Sequence, residues 1–221
     1  MIDPTAIAAG TDAMGLIGTL ALVLGASWTA GINLYATLAV LGLLHRYAEG
    51  FVLPGDMAAL GSYWVIGPAA FMYAVEFFTD KVPAIDSLWD TVHTFIRIPA
   101  GAVLAGMAVG EVPLEMQLAA GILGGTLALG SHATKSTTRM AAHGSGTSPV
   151  TGPSLSIAED VLVIGTIGLV AANPMLALVV MVVMLAGAVL LMWTFWRVAK
   201  RVWKALFRKT PPRRPAKPAP A

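Results

Sequence analysis

The stretch Met175–Trp196, MLALVVMVVMLAGAVLLMWTFW, decides the fold class because it contains no charged residue. A membrane core about 30 Å thick is crossed by about 20 apolar residues in a helix that rises about 1.5 Å per residue, so this stretch is long enough to span. Of the 221 residues in the chain, 57% are hydrophobic and 12% are charged, whereas about 25% are charged in a typical soluble domain. The mean hydropathy is +0.75. We therefore expect an all-α, multi-pass transmembrane helical bundle.

Five further hydrophobic segments precede this stretch, which makes about six in all. Their extents are residues 13–46, 57–78, 86–110, 115–130 and 157–172. The segment 57–78 carries no charge before Glu76, so we expect it to be a second clean span. The last two segments are shorter, and the segment 86–110 is long enough only if its polar first half lies inside the protein.

The first segment is too long for one untilted span and too short for two full ones. It contains Ser27, Thr29, Gly31 and Asn33 in close succession, and such residues favour an interruption over a continuous helix. We therefore expect residues 13–46 to form a broken helix or a re-entrant hairpin.

The basic residues set the expected orientation. Nine of the fourteen Lys and Arg residues lie between Arg197 and Lys217, a region without any acidic residue. Cytoplasmic loops and ends carry such an excess of positive charge, so we expect the C-terminus to be cytoplasmic. The domain organisation follows as an N-terminal segment 1–12, a transmembrane domain 13–196, a basic amphipathic extension 197–209 against anionic headgroups and a disordered Pro-rich tail 210–221.

A weak internal repeat aligns residues 25–33 with residues 152–160, so that Ser27 corresponds to Ser154 and Asn33 to Asp160. Interrupted helices at matching positions of a duplicated chain are typical of a transporter's binding site. The alternative is that the hydroxyl residues are ordinary helix caps and the similarity is fortuitous. Small residues at Gly121–Gly125 and Gly101–Ala105 predict close helix contacts, within the chain or in a homo-oligomer.

A stripe of ionisable residues is the most distinctive feature of the segment 86–110. Asp86, Asp90, His93 and Arg97 are spaced so that one face of a helix carries all four, while Leu88, Val92, Phe95 and Ile96 cover the opposite face. Ionisable groups within spans usually face the protein interior or a wet cavity. We therefore expect this helix to turn its charges away from lipid.

Two further polar groups have the position to meet this stripe. Glu76 and Asp80 lie at the end of the segment 57–78, and His132, Lys135 and Arg139 share a face if the next segment continues beyond Gly130. Opposed charges of this kind form either a structural ion-pair network or a polar cavity for a solute, a headgroup or protons. Divalent metal binding by Asp86, Asp90 and His93 is a weaker possibility.

Several segments resemble a bacterial membrane family, the domain-of-unknown-function family 4126. The resemblance rests on SWTAGINLYATLAVLGLLHR, on PAIDSLWDTVHTFIRIPAGAVLAG, and on the pairing of LGGTLALGSHATKSTTR with SLSIAEDVLVIG. It covers about residues 15–180 and implies a multi-pass inner-membrane protein but no activity. The signature segments include Asn33, Asp86, Asp90, His93, His132, Lys135, Glu159 and Asp160.

These observations favour a small transporter or channel-like protein whose cytoplasm-facing polar cavity takes a small solute, an ion or protons. The alternative is a non-transporting scaffold or lipid-headgroup-binding protein held together by the same charges. An enzyme that uses Asp90 and His93 as acid and base ranks last, because no nucleophile accompanies them. No cysteine is present, and we expect no cofactor and no nucleic-acid partner. The candidate substrate-binding residues are Ser27, Thr29, Asn33, Glu76, Asp80, Asp86, Asp90, His93, Arg97, His132, Lys135, Arg139, Ser154, Glu159 and Asp160.

Overall fold

The structure, a computed structural model, describes the backbone of residues 4–144 and 148–206 and the side chains of residues 15–82, 85, 88–142 and 151–204. Within these ranges all regular secondary structure is helical and no strand is present. The helices are α1 Pro4–Ile32, α2 Leu34–Tyr47, a 3₁₀ helix Gly55–Gly61, α3 Tyr63–Thr79, α4 Pro83–Ala108, α5 Leu114–Gly144, α6 Ser148–Ala172 and α7 Pro174–Leu206. The expected all-α helical bundle is confirmed.

Four of the described helices, α1, α4, α6 and α7, are long and apolar enough to cross a membrane. Their burial differs: the membrane-length part of α1 is 61% buried and that of α7 is 11% buried. Helix α1 therefore lies in the centre of the bundle, where it packs against α4, α5, α6 and α7. Helix α7 lies at its periphery and presents its apolar side chains outward.

The segment 57–78 is not the clean, straight span that its composition predicts. The 3₁₀ helix and α3 meet at an angle of 64°, so together they form at most one broken span. Ser62 stands between them in an extended conformation and accepts a hydrogen bond from Trp64 N at 3.3 Å. This serine is an N-cap for α3, and the cap starts a new helix direction.

The first hydrophobic segment is broken, as predicted, but the interruption is limited to one residue, Asn33. Helix α1 runs without a break through Ser27 and Thr29, because the Thr29 hydroxyl donates to Gly25 O at 2.8 Å within the same helix. Asn33 has φ −145° and ψ 98°, and its side-chain oxygen accepts from Ala36 N at 2.9 Å. Asn33 therefore ends α1 and caps α2.

The prediction of a matching break in the second half of the chain is wrong, as helix α6 shows. It is continuous from Ser148 to Ala172, so Ser154 lies inside a helix and is neither a break nor a cap. Its side chain is exposed. The helix break at Asn33 therefore has no counterpart at Asp160.

Small residues bring α4 and α5 together, as their spacing predicts, and the contact lies within the chain. A side chain at Gly124 would overlap Ala105 and the Gly101 carbonyl and would approach Ser27 Oγ to 2.8 Å. Gly121 and Gly125 leave more room. Helix α5 continues to Gly144, and His132, Lys135 and Arg139 in its second half are buried.

Candidate functional site: a buried ion-pair network

Helix α4 turns its charges inward. Asp90, His93 and Arg97 are buried, whereas Leu88 and Phe95 on the other face are 67% and 79% exposed. The spacing of these residues predicts this orientation. The side chain of Asp86 lies outside the described residues.

Arg97 joins helices α3 and α4 at the centre of the network. Its Nη2 atom lies 2.5 Å from Glu76 Oε1, and its Nη1 atom lies 2.9 Å from Asp90 Oδ1. The Arg97 and Glu76 side chains have no exposed surface. Such a pair is stable only when its charges are neutralised by each other and by hydrogen bonds, because burial removes their hydration.

Lys135 lies among four carboxylates. Its Nζ atom is 3.5 Å from Asp90 Oδ1 and from Glu159 Oε2, and 3.7 Å from Glu76 Oε1 and from Asp80 Oδ2. The same ammonium donates to Ile32 O at 3.1 Å. Because α1 ends at Ile32, this carbonyl has no partner in the helix, and a cation is favourable at a helix C-terminus. The break at Asn33 thus supplies a ligand for Lys135.

Arg139 extends the network to helix α6. Its Nη2 atom lies 3.0 Å from Asp80 Oδ2 and 2.6 Å from Glu159 Oε2, and its Nε donates to Glu159 Oε1 at 3.3 Å. Ser156 also donates to Asp80 Oδ2, at 3.5 Å. The network therefore connects α3, α4, α5 and α6.

Asn33 and Asp160, which correspond in the weak repeat, contact each other directly. Asn33 Nδ2 donates to Asp160 Oδ1 at 3.1 Å, and both side chains are buried. Asn33 therefore has two functions: it caps α2 and it binds a carboxylate of α6. This contact brings a fifth carboxylate next to the network.

The hydrogen bonds of His132 hold its ring in the neutral form. Arg97 Nη1 lies 3.2 Å from His132 Nδ1, and because guanidinium only donates, Nδ1 accepts. His132 Nε2 then donates to Thr94 Oγ1 at 2.6 Å, whose own hydrogen goes to Asp90 O.

His93 is bonded at both ring nitrogens. Its Nδ1 donates to Trp89 O at 2.8 Å, and its Nε2 lies 3.1 Å from Tyr35 Oη, a hydroxyl that can either donate or accept. The ring also stacks on Trp89, with 4.2 Å between centroids. Of the two rings, His132 is the one whose partners exclude a positive charge.

The acids outnumber the bases in this network. Within the described side chains, the four carboxylates of Glu76, Asp80, Asp90 and Glu159 pair with three cations. Asp160 adds a fifth carboxylate, while the nearby Lys81 donates instead to Phe77 O at 2.7 Å. Glu76 Oε2 and Asp80 Oδ1 are buried and have no hydrogen-bond partner in the described part of the chain.

The structure thus brings together most of the predicted site residues and leaves three apart. Ser27 donates to Gly101 O at 3.1 Å, Thr29 bonds within α1, and Ser154 is exposed on α6. Sequence reasoning missed Tyr35 and Thr94, which bind the two histidines. Thr94 lies one turn beyond Asp90, so the helical spacing alone would have placed it on the same face.

A metal site is not apparent among the described side chains. No group of three or more His, Asp or Glu residues there has the arrangement to hold a metal ion. Of the three weak candidates, Asp90 pairs with Arg97 and Lys135, His93 bonds Tyr35 and Trp89, and Asp86 is not described at the side-chain level.

Comparisons with known proteins place the chain in a family. No curated protein and no solved structure matches it. A family model described as Domain of unknown function (DUF4126) matches residues 20–194, a range that contains every member of the buried network. The chain is therefore a multi-pass helical membrane protein that belongs to the DUF4126 family.

Proposed function

We propose that this protein is a small membrane transporter that carries protons through the buried network. The observation that supports it is the charge imbalance: in the described part of the network four carboxylates share three cations, Asp160 adds a fifth carboxylate that is bonded to Asn33, and His132 is neutral. An uncompensated charge in a low-dielectric interior costs several kcal/mol. A bound proton removes that cost without needing a coordination shell.

The residues around the excess carboxylates are suited to proton movement. Ionisable residues inside membrane proteins mark proton relays and ion pathways. The chain Thr94–His132–Arg97 leads from α5 to the ion pairs, and the pair Tyr35–His93 joins α2 to α4. We propose that the protein lies in a bacterial inner membrane. Its C-terminus is then in the cytoplasm, because the end of α7 is rich in basic residues. In that orientation the network lies in the cytoplasmic half of the bundle.

The test is proton flux in proteoliposomes that contain a trapped pH-sensitive dye. A potassium diffusion potential, negative inside, drives protons inward, and we expect the wild-type protein to acidify the lumen faster than empty liposomes do. Glu76→Gln removes a network carboxylate. It should lower the proton flux about tenfold or more, because a glutamine cannot bind the proton that the pathway carries. Glu115→Gln is the matched control, since Glu115 is exposed at the start of α5. Wild-type flux equal to that of empty liposomes would contradict the proposal.

A second candidate is a non-transporting scaffold or lipid-headgroup-binding protein in which the charges only hold the helices together. The close pairs favour it, since Arg97 and Arg139 each lie within 3.0 Å of two carboxylates. Both candidates predict that Glu76→Gln changes the unfolding temperature. Only the transporter predicts a flux that this substitution removes, so stability and flux measured on the same preparation separate the two.

A further inference from the structure

A second feature of the bundle is a cavity of about 310 Å³ lined by residues of α1, α5, α6 and α7. Its wall is mainly apolar, with Trp28, Leu162 and Met184 among the lining residues. Lys135 and Glu159 also line it, so the cavity borders the ion-pair network. Its volume lies at the lower end of the range of about 300–1,000 Å³ found for small-molecule sites.

The cavity opens between α6 and α7. Ala158 and Leu162 on α6, and Gly187 and Leu191 on α7, line the cavity and are also exposed at the surface. All four lie in helices that are long and apolar enough to span a membrane. A ligand therefore reaches the cavity from the hydrocarbon of the bilayer, which requires it to be lipophilic.

The polar atoms of the wall are mostly acceptors. Thr134 and Thr138 each donate their hydroxyl hydrogen to a carbonyl of α5 at 2.8 and 2.9 Å, which leaves their oxygen lone pairs, whereas Ser131 is 1% exposed. Glu159 adds a carboxylate that also bonds Arg139 and whose side chain is 16% exposed. The Lys135 side chain is 1% exposed and its ammonium faces the network.

Trp28 contributes the remaining chemistry of the wall. Its aromatic surface is of the type that attracts cations. Its indole N–H is buried and does not reach a ligand, so the wall offers two threonine oxygens and a carboxylate as acceptors. A ligand that donates hydrogen bonds and carries positive charge complements this set best.

We propose that the cavity binds a lipophilic cation, an ammonium group carried on an apolar body, that enters from the bilayer. The proposal rests on the proposed function, because an ammonium group and a proton offset the same excess of carboxylates. Binding of one therefore favours release of the other. A fatty acid in the same cavity would add to the negative charge that the network already carries.

The test compares three probes that share the same alkyl chain and differ in the head group: dodecylammonium, dodecanol and dodecanoate. Each is titrated calorimetrically into the protein in nanodiscs of zwitterionic lipid, with empty nanodiscs subtracted. We expect saturable binding of dodecylammonium at least about tenfold tighter than that of dodecanol, and weaker binding still of dodecanoate. Equal binding of all three, preference for dodecanoate, or no saturable binding of dodecylammonium would overturn the proposal.

A pair of glycine substitutions locates the site. An added Cβ at Gly187 or at Gly168 meets no atom within 4 Å, so both positions tolerate a side chain. Gly187 lines the cavity and Gly168 does not. Gly187→Leu should weaken dodecylammonium binding about tenfold or more, since a leucine fills the opening, and Gly168→Leu should leave it unchanged. Equal affinities in both variants would place the amine elsewhere and refute the assignment.

Proton flux in the proteoliposomes distinguishes the two proposals. Flux without dodecylammonium binding refutes the lipophilic cation and leaves proton transport in place. Dodecylammonium binding without flux refutes transport and shows a binding protein. Binding accompanied by proton release into a weakly buffered medium is the result that both proposals predict.

Discussion

Replacing Arg97 with methionine tests how strongly the network holds the helices together. Arg97 and Glu76 have no exposed surface, and Arg97 also lies 2.9 Å from Asp90. Its removal leaves a buried carboxylate without its closest partner, a change that costs about 3–5 kcal/mol. For a chain of this length 1 kcal/mol corresponds to about 2–4 °C. We therefore expect Arg97→Met to lower the unfolding temperature by about 6–20 °C.

The assay is thermal unfolding in detergent, followed by intrinsic fluorescence and by loss of the monodisperse peak. Arg46→Met is the matched control, because Arg46 is exposed and lies 3.8 Å from the centroid of the Tyr63 ring, and we expect a much smaller change. The double variant Arg97→Met, Glu76→Gln should be more stable than Arg97→Met alone, since the stranded charge is removed. Strictly additive losses would refute the reasoning, because they would show that the two side chains do not depend on each other.

Three further outcomes follow from the packing. Gly124→Leu should prevent recovery of monodisperse protein, because a side chain there overlaps α4, while Gly130→Leu, where an added Cβ meets no atom within 4 Å, should be recovered normally on size exclusion. Asn33→Ala should lower stability by about 0.5–2 kcal/mol through loss of the α2 cap, and Asn33→Ser, which keeps a capping oxygen, should recover part of this in the same melting assay. Lys135→Met should lower the unfolding temperature more than Lys81→Met does, because Lys135 lies among four carboxylates whereas Lys81 donates to Phe77 O.

The sequence was sufficient to predict the helical bundle and the faces that carry charge. A charge-free run of membrane length has few alternatives in lipid. The stripe on α4 was predictable because its spacing matches the helix period and because exposing Asp90 or Arg97 to hydrocarbon is costly. For the same reason, the polar second half of α5 had to face the protein.

Local breaks were harder to predict than faces. Gly61 and Ser62 lie in an apolar stretch and are common in continuous membrane helices, so the bend of 64° before α3 has no distinctive composition. Hydroxyl residues around Ser27 indicated a break that Asn33 alone makes, because threonine can donate to its own helix. Small polar residues therefore mark the neighbourhood of a break but not its position.

Pairings across the bundle depend on tertiary structure. The contact between Asn33 and Asp160 joins residues that the repeat aligns, yet alignment alone does not imply that equivalent positions touch. Lys135 binds Ile32 O only because α1 ends there. The charge imbalance emerged only from the observed ion pairs and from the hydrogen bond between Arg97 and His132, which requires a neutral His132 ring.

The most direct test of a proton-carrying network is infrared spectroscopy of the protein in lipid at neutral pH. Protonated carboxylic acids absorb apart from carboxylates, so the spectrum reports whether the excess acids hold protons. We predict a protonated-carboxyl band that weakens in Glu76→Gln or in Asp160→Asn and is unchanged in Glu115→Gln. A wild-type spectrum without this band would show that every network carboxylate is ionised, and it would contradict the account.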